Sequence, residues 1–529
     1  MQGKVIFMEN TPNKIKSKDL IKSKKGDTSK FNFILVLVAA VVSFAMVIGC
    51  VLLVVSSCTD SKYVMQSKHY KMNKNEFSYL FYSGYYSELS SNYYTYYYNG
   101  LDTSDSLKNQ DYTNSDGDTY TWYDVFMSNT VESVKQYMAF WEEAYDSKLT
   151  LDDNDIKEID DTIDNIKQSA EEAGATVEAY VEYLYGDGNT LDDVRSAMEF
   201  YALAMKQYQV DYDAEEDKIT DDDITEAYEA DSTAYDYVDY RSYAITASYD
   251  EDATEDEIEA ACTVAKENAE SIANATTEEE FVANVQAYLT SNNVATDDEE
   301  ALTEEEIASE AQNTLTERYQ YESDTDFGTW AFTEGRAAGE TTVIEGDDTY
   351  TAYYLVSAPS RLGYTTKNVC HILFSTSDTD KYPTEDDAKA KAEEVLALWQ
   401  ENPTFENLET LADEYNDDSS FEYDNIKLGD MAEEFEDWCY SDERNVGDCD
   451  IVQTSYGYHL IYFVGDGLPC WKAEVKDDIL QENFETLIEE LEEKYSASYE
   501  AAYLYKISGI TAYCKTLETT IADDTAAAN

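Results

Sequence analysis

The apolar positions fall into three patterns along the chain. Residues 33–55 are a run of 23 without a charge, long enough at 1.5 Å per helical residue to cross a hydrocarbon core. This run is expected to be a transmembrane helix. From about 61 to 236 the period is helical, with apolar or aromatic residues three and four apart, as at Val134, Tyr137, Met138, Phe140 and Trp141. Within it, 77–98 carries Tyr79, Tyr82, Tyr85, Tyr86, Tyr93, Tyr94, Tyr96, Tyr97 and Tyr98. Such a stripe is either a packed helix face or a surface that holds unfolded chains through amphipathic rings. Near the end, Val475, Ile479, Leu480, Phe484, Leu487, Ile488 and Leu491 predict a last helix. Its apolar stripe needs cover, and the N-terminal helical region can supply it.

Between these regions the pattern repeats. One segment runs from Tyr240-Arg-Ser-Tyr-Ala-Ile-Thr246 through Thr254-Glu-Asp-Glu257, which opens a helix. It continues through Phe281 in a second helix and Gly339-Glu340 to the strand Tyr350-Thr-Ala-Tyr-Tyr-Leu-Val356. The next runs from Val369-Cys-His-Ile-Leu-Phe374 through Thr384-Glu-Asp-Asp387, Phe405 and Gly447-Asp448 to Tyr456-Gly-Tyr-His-Leu-Ile-Tyr462. The spacings agree within two residues: 11 against 13 from the first strand to the helix start, and 14 against 12 from the glycine to the last strand. Two such units in tandem imply two α+β domains.

Charge then fixes sidedness. The chain carries a formal net charge of -76 with a pI near 4.1, which argues against nucleic acid and anionic lipid as partners. The first thirty residues hold eight lysines against three acids, so the positive-inside rule leaves the N-terminus in the cytoplasm and the acidic body outside. A second reading of the anchor stays open, because Val55-Ser56-Ser57-Cys58 resembles a lipobox in which Cys58 would be lipidated. Cys370, Cys439, Cys449 and Cys470 fall in or beside the second repeat, where an oxidising compartment permits disulfides in any of three pairings. No CxxC, Gly-x-Ser-x-Gly or His-Glu-x-x-His occurs. An EF-hand at Asn114-Ser-Asp-Gly117 fails, because Tyr112 and Tyr123 stand at its first and twelfth positions. Neither a metal nor a cofactor is called for.

Two of the three histidines, His371 and His459, sit on the first and last strands of the second repeat. Asn416-Asp-Asp-Ser-Ser420 and Gly429-Asp-Met-Ala-Glu-Glu-Phe-Glu436 follow between them. In this order the segment resembles the parvulin family of peptidyl-prolyl isomerases. The resemblance implies a catalytic network of His371, Asp418 and His459, and a proline pocket lined by Leu373, Met431 and Phe435, with Met431 and Phe435 on one helix. Residues 421–428 contain no glycine where the family has a glycine-rich strand. The first repeat resembles a degenerate copy, with Tyr243 and Tyr353 where histidines would stand and a strand of the missing type at Asp326-Phe-Gly-Thr-Trp-Ala-Phe332. No lysine or arginine cluster follows His371, so a phosphoserine-proline preference is not expected.

The layout is similar to SurA-type and PrsA-type extracytoplasmic foldases. The expected fold is α+β multidomain: a cytoplasmic basic tail (1–30), a transmembrane anchor (31–57), an all-α chaperone-like unit (58–236), a degenerate parvulin-like domain (237–360), a parvulin-type isomerase domain (364–466) and a C-terminal helical segment (467–529). The expected function is isomerisation and chaperoning of unfolded or newly translocated polypeptides containing X-Pro bonds. The chain would be held at the cell membrane by a single span, or as a lipoprotein through Cys58. The alternative is a non-catalytic, membrane-anchored chaperone or surface scaffold that keeps the parvulin fold.

Overall fold

The computed structural model describes residues 63–499 apart from 104, 115–116, 251, 294–300, 323–324, 378 and 380. The expected basic tail, the apolar run 33–55 and Cys58 lie outside the described residues. Among the described residues no helix is long and apolar enough to cross a membrane.

The chain divides into two compact units, the first holding the described residues up to Lys218 and those from Leu480 onward. It contains strands β1 (Tyr63–Gln66) and β2 (Lys71–Asn73), helix α1 (Lys74–Tyr98), the hairpin β3 (Asp111–Thr113) and β4 (Thr119–Thr121), and helices α2 (Trp122–Ser147), α3 (Asp153–Glu172), α4 (Val177–Tyr185) and α5 (Leu191–Glu216). Capping boxes set the starts of three helices: Thr121 with Asp124, Asp152 with Asp155, and Thr190 with Asp193. Phe77, Phe81, Tyr82 and Tyr85 are buried with Trp122, Phe126, Met138 and Phe200. The first half of the tyrosine-rich stretch is thus core. The third histidine has a structural partner: the buried Glu142 carboxylate accepts from Ser67 Oγ at 2.7 Å and contacts His69 Nδ1 at 2.6 Å. These bonds pin the β1–β2 turn to α2.

The second unit opens with α6 (Asp221–Ala230) and then repeats one plan twice. The first pass is β5 (Asp236–Thr246), α7 (Glu255–Ala273), α8 (Glu278–Asn292), α9 (Glu304–Gln312), β6 (Leu315–Gln320), α10 (Asp326–Ala331), β7 (Thr341–Glu345), β8 (Thr349–Leu355) and a short β9 (Ser360–Arg361). The second is β10 (Thr365–Ser375), α11 (Glu385–Glu401), α12 (Phe405–Tyr415), β11 (Glu422–Ile426), α13 (Glu433–Cys439), β12 (Cys449–Thr454) and β13 (Gly457–Pro469). The sheets run β6-β5-β8-β7 and β11-β10-β13-β12, antiparallel throughout. In each, one face packs on the two long helices and the other on the short helix, α10 or α13.

The structure corrects three expectations. Gly339 N donates to Leu355 O at 2.7 Å, as Gly447 N does to Phe463 O at 2.9 Å, and Ser242 N donates to Thr314 O as His371 N does to Phe421 O. In this register Ser242 and Thr351, not Tyr243 and Tyr353, occupy the positions of His371 and His459. A strand turns alternate residues to opposite faces, so Tyr243 lies on the helix side, beside Tyr288. Residues 326–331 are the helix α10 rather than a strand, because Thr325 Oγ1 caps them by accepting from Gly328 N at 2.9 Å. They match α13, with Phe327 at the place of Phe435. Met431 lies just before α13, which starts at Glu433, so Met431 and Phe435 do not share a helix face. Finally, the described cysteines are unpaired. Cys370 and Cys449 both oppose Tyr462 from the two sides of β13. Two strand spacings, about 9–10 Å, separate them, which is beyond disulfide reach.

The last helix, α14 (Cys470–Lys494), carries Trp471 and Val475 against Ile224 in the second unit, and Phe484 and Leu491 against Phe140 and Ala204 in the first. The strand β14 (Ser498–Tyr499) then pairs with β1.

At the start of β13 the backbone passes Phe374 so closely that only glycine fits. Gly457 has φ +144°, and a Cβ there would lie 2.2 Å from Phe374 O. Gly457→Ala is expected to cost about 2 kcal/mol or more, read as a lower midpoint in chemical denaturation. An unchanged midpoint would show that this approach does not hold the strand.

Candidate active site

The central pair β10–β13 builds the site. His371 opposes Ile461 and His459 opposes Leu373, so both imidazoles project from the same face as Val369, Ile461 and Phe463. The intervening Cys370, Ile372, Phe374, Tyr458 and Leu460 pack on the helix side. Both rings are buried and stacked, with centroids 5.3 Å apart at 17°, and Nδ1 of each lies 3.1 Å from Nδ1 of the other. The Phe435 ring from α13 stands edge-on to both, 5.7 Å from His371 and 5.4 Å from His459.

The loop after α12 delivers the acid. Asn416 Oδ1 accepts from Leu373 N at 2.7 Å, and Asp417 N donates to Leu373 O at 2.9 Å. These bonds clamp the loop to β10. Asp418 Oδ2 then lies 3.3 Å from His371 Nε2 and accepts from Tyr423 OH at 3.1 Å.

The donors and acceptors have one direction when both rings are neutral. His371 Nε2 faces the Ser420 carbonyl at 3.1 Å and the Asp418 carboxylate, which only accept, so this nitrogen carries the proton. His371 Nδ1 must therefore accept, and His459 Nδ1 must donate to it. That leaves His459 Nε2 as an acceptor for the Thr454 hydroxyl at 2.8 Å, whose oxygen in turn accepts from Tyr456 N. The chain runs from Thr454 through both rings to Asp418. Burial pushes the His459 pKa down to about 4, with the neighbouring His371 adding to the effect. Burial opposes the Asp418 charge, but hydrogen bonds from His371, Tyr423 and Ser420 N outweigh it and hold the carboxyl at about 2. Burial, with the Asp418 charge beside it, pushes the Tyr423 hydroxyl pKa up.

The residues expected for a pocket divide. Phe435 and Met431 join Val369, Ile426, Cys439, Ile461 and Phe463 in one apolar cluster beside the imidazoles. Leu373 shares their sheet face and opposes His459, but it lies outside that cluster. Sequence reasoning missed Thr454 and Tyr423. The alternation in β11 that puts Tyr423 opposite Val369 was available, whereas the contact of Thr454 depends on the tight hairpin before His459. Among the described residues no group of three or more His, Cys, Asp or Glu is placed to hold a metal ion.

These shifts set a pH dependence. A histidine held neutral in the folded state binds its proton more readily when unfolded, so its contribution is complete above about pH 6.5 and falls away as pH drops toward 4. The loss is expected to be on the order of 3 kcal/mol, with Asp418 adding a further loss between about pH 4 and 2. Urea denaturation of wild type and His459→Gln from pH 7 to 4 checks this. Parallel curves for the two proteins would contradict a buried neutral His459.

Residues 359–465 match the family model described as PPIC-type PPIASE domain. No curated protein sequence matches the chain. Among solved structures, it is similar to the peptidylprolyl isomerase PrsA from Bacillus anthracis at 11% identity, covering 69% of this chain and 95% of that one, with a TM-score of 0.15. The foldase protein PrsA from Streptococcus pneumoniae str. Canada MDR_19A is 17% identical over 57% and 91% of the two chains, also at 0.15. The PrsA peptidylprolyl isomerase from Bacillus cereus is 11% identical over 79% and 100%, at 0.18. The family match makes residues 359–465 a parvulin-type peptidyl-prolyl cis-trans isomerase domain.

Proposed function

We propose that this isomerase works outside the cytoplasmic membrane on unfolded or newly translocated polypeptides, that it also holds such chains as a chaperone, and that its N-terminal segment anchors it there. The apolar run 33–55 behind eight lysines supports the anchor and its direction. The first repeat is in this reading a degenerate, non-catalytic copy, since Ser242 and Thr351 replace the two histidines.

The observation that carries the catalytic assignment is the hydrogen-bonded chain Thr454–His459–His371–Asp418 lying against the Phe435–Met431 cluster. Rotation about an X-Pro bond meets a barrier of about 18–20 kcal/mol from amide resonance. No bond is made to the protein. The apolar cluster grips the proline ring, and a site that fits the twisted amide better than either planar form lowers the barrier. In the twisted state the carbonyl carbon and oxygen lose the nitrogen's electron pair. A buried network with fixed dipoles meets that change without reorganising. Keeping His459 uncharged removes one positive charge from the floor.

In a proline isomerisation assay on the full chain, Phe435→Ala and Met431→Ala are expected to lower kcat/KM by about tenfold or more, mainly through KM. His459→Ala and Asp418→Asn are expected to lower kcat with less effect on KM. Wild-type protein that does not exceed the uncatalysed rate would leave only the non-catalytic scaffold. For location, protease added to intact cells is expected to remove the acidic body. Mass measurement of the mature N-terminus then separates a span from a lipid anchor: a spanning chain keeps residues 1–57, and a lipid-held chain begins at an acylated Cys58.

A further inference from the structure

We propose that the first repeat positions the proline pocket of the second: Arg318 in β6, together with Tyr364 in the connection between the repeats, holds the turn 427–432 that carries Met431. This rests on reading Met431 and Phe435 as that pocket, and all the residues involved belong to the second unit.

The turn has no regular structure of its own. Lys427 N donates to Asp430 Oδ2 at 3.0 Å and Asp430 N donates to Lys427 O at 3.1 Å, which closes the turn on itself. Gly429 N donates to the Glu436 carboxylate on α13. The two backbone groups of Leu428 find their partners outside the strands and helices of the second repeat. Its N–H donates to Tyr364 OH at 3.1 Å, and its carbonyl accepts from an Arg318 guanidinium N–H at 3.3 Å. Lys427 Nζ, 3.9 Å from Asp477 Oδ2, adds a charge contact from α14. Methionine is unbranched and has three rotatable bonds, so the place where Met431 meets a proline ring depends on the backbone that carries it.

A comparison of the two repeats isolates what Arg318 supplies. In the second, Val369 opposes Tyr423 and Lys367 opposes Ile426, so two residues of β11 face Asn368 alone. In the first, Tyr240 opposes Thr316 and Val238 opposes Tyr319, so two residues of β6 face Asp239 alone. Each is a β-bulge at the same place in the frame. Asn425 and Arg318 are the matching bulge residues, both with φ +52°. Each N–H donates at 2.8 Å to the facing side chain, Asn368 Oδ1 or Asp239 Oδ1. The backbone device is thus the same in both, and the side chains part. Asn425 Oδ1 turns into its own repeat, accepting from Thr366 Oγ1 at 3.1 Å and Leu468 N at 2.8 Å. Arg318 reaches out of its repeat to Leu428 O. Asparagine tolerates positive φ better than arginine does. Arginine at this bulge therefore goes against backbone preference, and what it adds is reach to the neighbouring repeat.

The test compares full-length wild type with Arg318→Ala, Tyr364→Phe and the double variant, in prolyl isomerisation and in hydrogen exchange of segments covering 427–432. Each single variant is expected to raise KM by about fivefold, the effect of one lost hydrogen bond, with kcat kept. Exchange at 427–432 is expected to quicken while β10 and β13 stay protected. Arg318→Lys, which keeps a donor on a long stem, is expected to recover part of the loss. Lys266→Ala, which removes an exposed ion pair with Glu345 elsewhere on the first repeat, is expected to change neither reading. If Tyr364→Phe melts early, Arg318→Ala decides, because its side chain bonds at the surface. Wild-type KM and wild-type exchange in Arg318→Ala, a fall in kcat with KM unchanged, or faster exchange spread evenly over both repeats would overturn the proposal. Wild-type protein without isomerase activity would strike the catalytic reading, and exchange at 427–432 would still decide whether Arg318 holds the turn.

Discussion

The site depends on one register. Pairing His371 with Ile461 and Leu373 with His459 is what puts two imidazoles on one face of the sheet, 3.1 Å apart at their facing nitrogens. Because side chains alternate, a slip of one residue would send a histidine into the helix-side core. At this pair Gly457 passes under Phe374 O, and on the other edge of β10 the strand is held by the bond from His371 N to Phe421 O and by the bracket that Asn416 and Asp417 put around Leu373. The last of these also delivers Asp418. The bonds that fix the strand thus fix the acid, and the geometry of the network follows from backbone pairing before any side chain is considered.

The first repeat shows what the same frame does without that chemistry. Its sheet order and short helix match, and Arg336 lies over Trp330 as Arg444 lies over Trp438. Yet the face that holds the imidazoles in the second repeat is here filled with aromatic rings. Phe327 is 4.3 Å from both Tyr240 and Tyr353, where the second repeat has Val369 and Ile461 around Phe435. The six residues between α12 and β11 that carry Asp418 are replaced by a longer stretch holding α9. The groove is closed by its own side chains. Burying rings there exchanges a polar site for core, which fits a copy kept for its architecture.

Much of this was legible in the sequence because it is written in period and order. The Thr-x-x-Asp/Glu helix starts appear as capping boxes at Thr254 and Thr384, and the strands around His371 and His459 pair as their motifs imply. What failed turned on offsets of one or two residues. Aligning Tyr353 with His459 left a two-residue mismatch from the preceding glycine, 14 against 12, and only the hydrogen bonds of Gly339 and Gly447 show that Thr351 closes it. Residues 326–332 read as a strand because they resemble the family's glycine-rich strand, but a threonine cap and a glycine that approaches Glu322 O turn the stretch into a helix. Thr454 and Tyr423 enter the network through contacts across strands, which no linear spacing records.

Charge is the remaining constraint. Residues 359–465 carry 25 acidic and 7 basic residues, a load that self-repulsion makes costly. Elsewhere in the chain acids are placed where they help: Asp223, Glu257 and Glu306 close capping boxes at helix N-termini, and their hydrogen bonds lower the carboxyl pKa values. The cations around the site are engaged as well, Lys381 with Asp417, Lys367 with Asp466, and Arg444 with Asp448 and Asp450. A phosphorylated residue before proline would therefore have to displace a carboxylate from each of these in turn. In a surround this acidic, an ordinary exposed histidine would be drawn toward its charged form. Burial under Phe435, with Thr454 donating to the ring, keeps His459 neutral instead. The enclosure that makes a proline pocket apolar is thus the same one that lets two imidazoles share a single proton direction inside a strongly anionic domain.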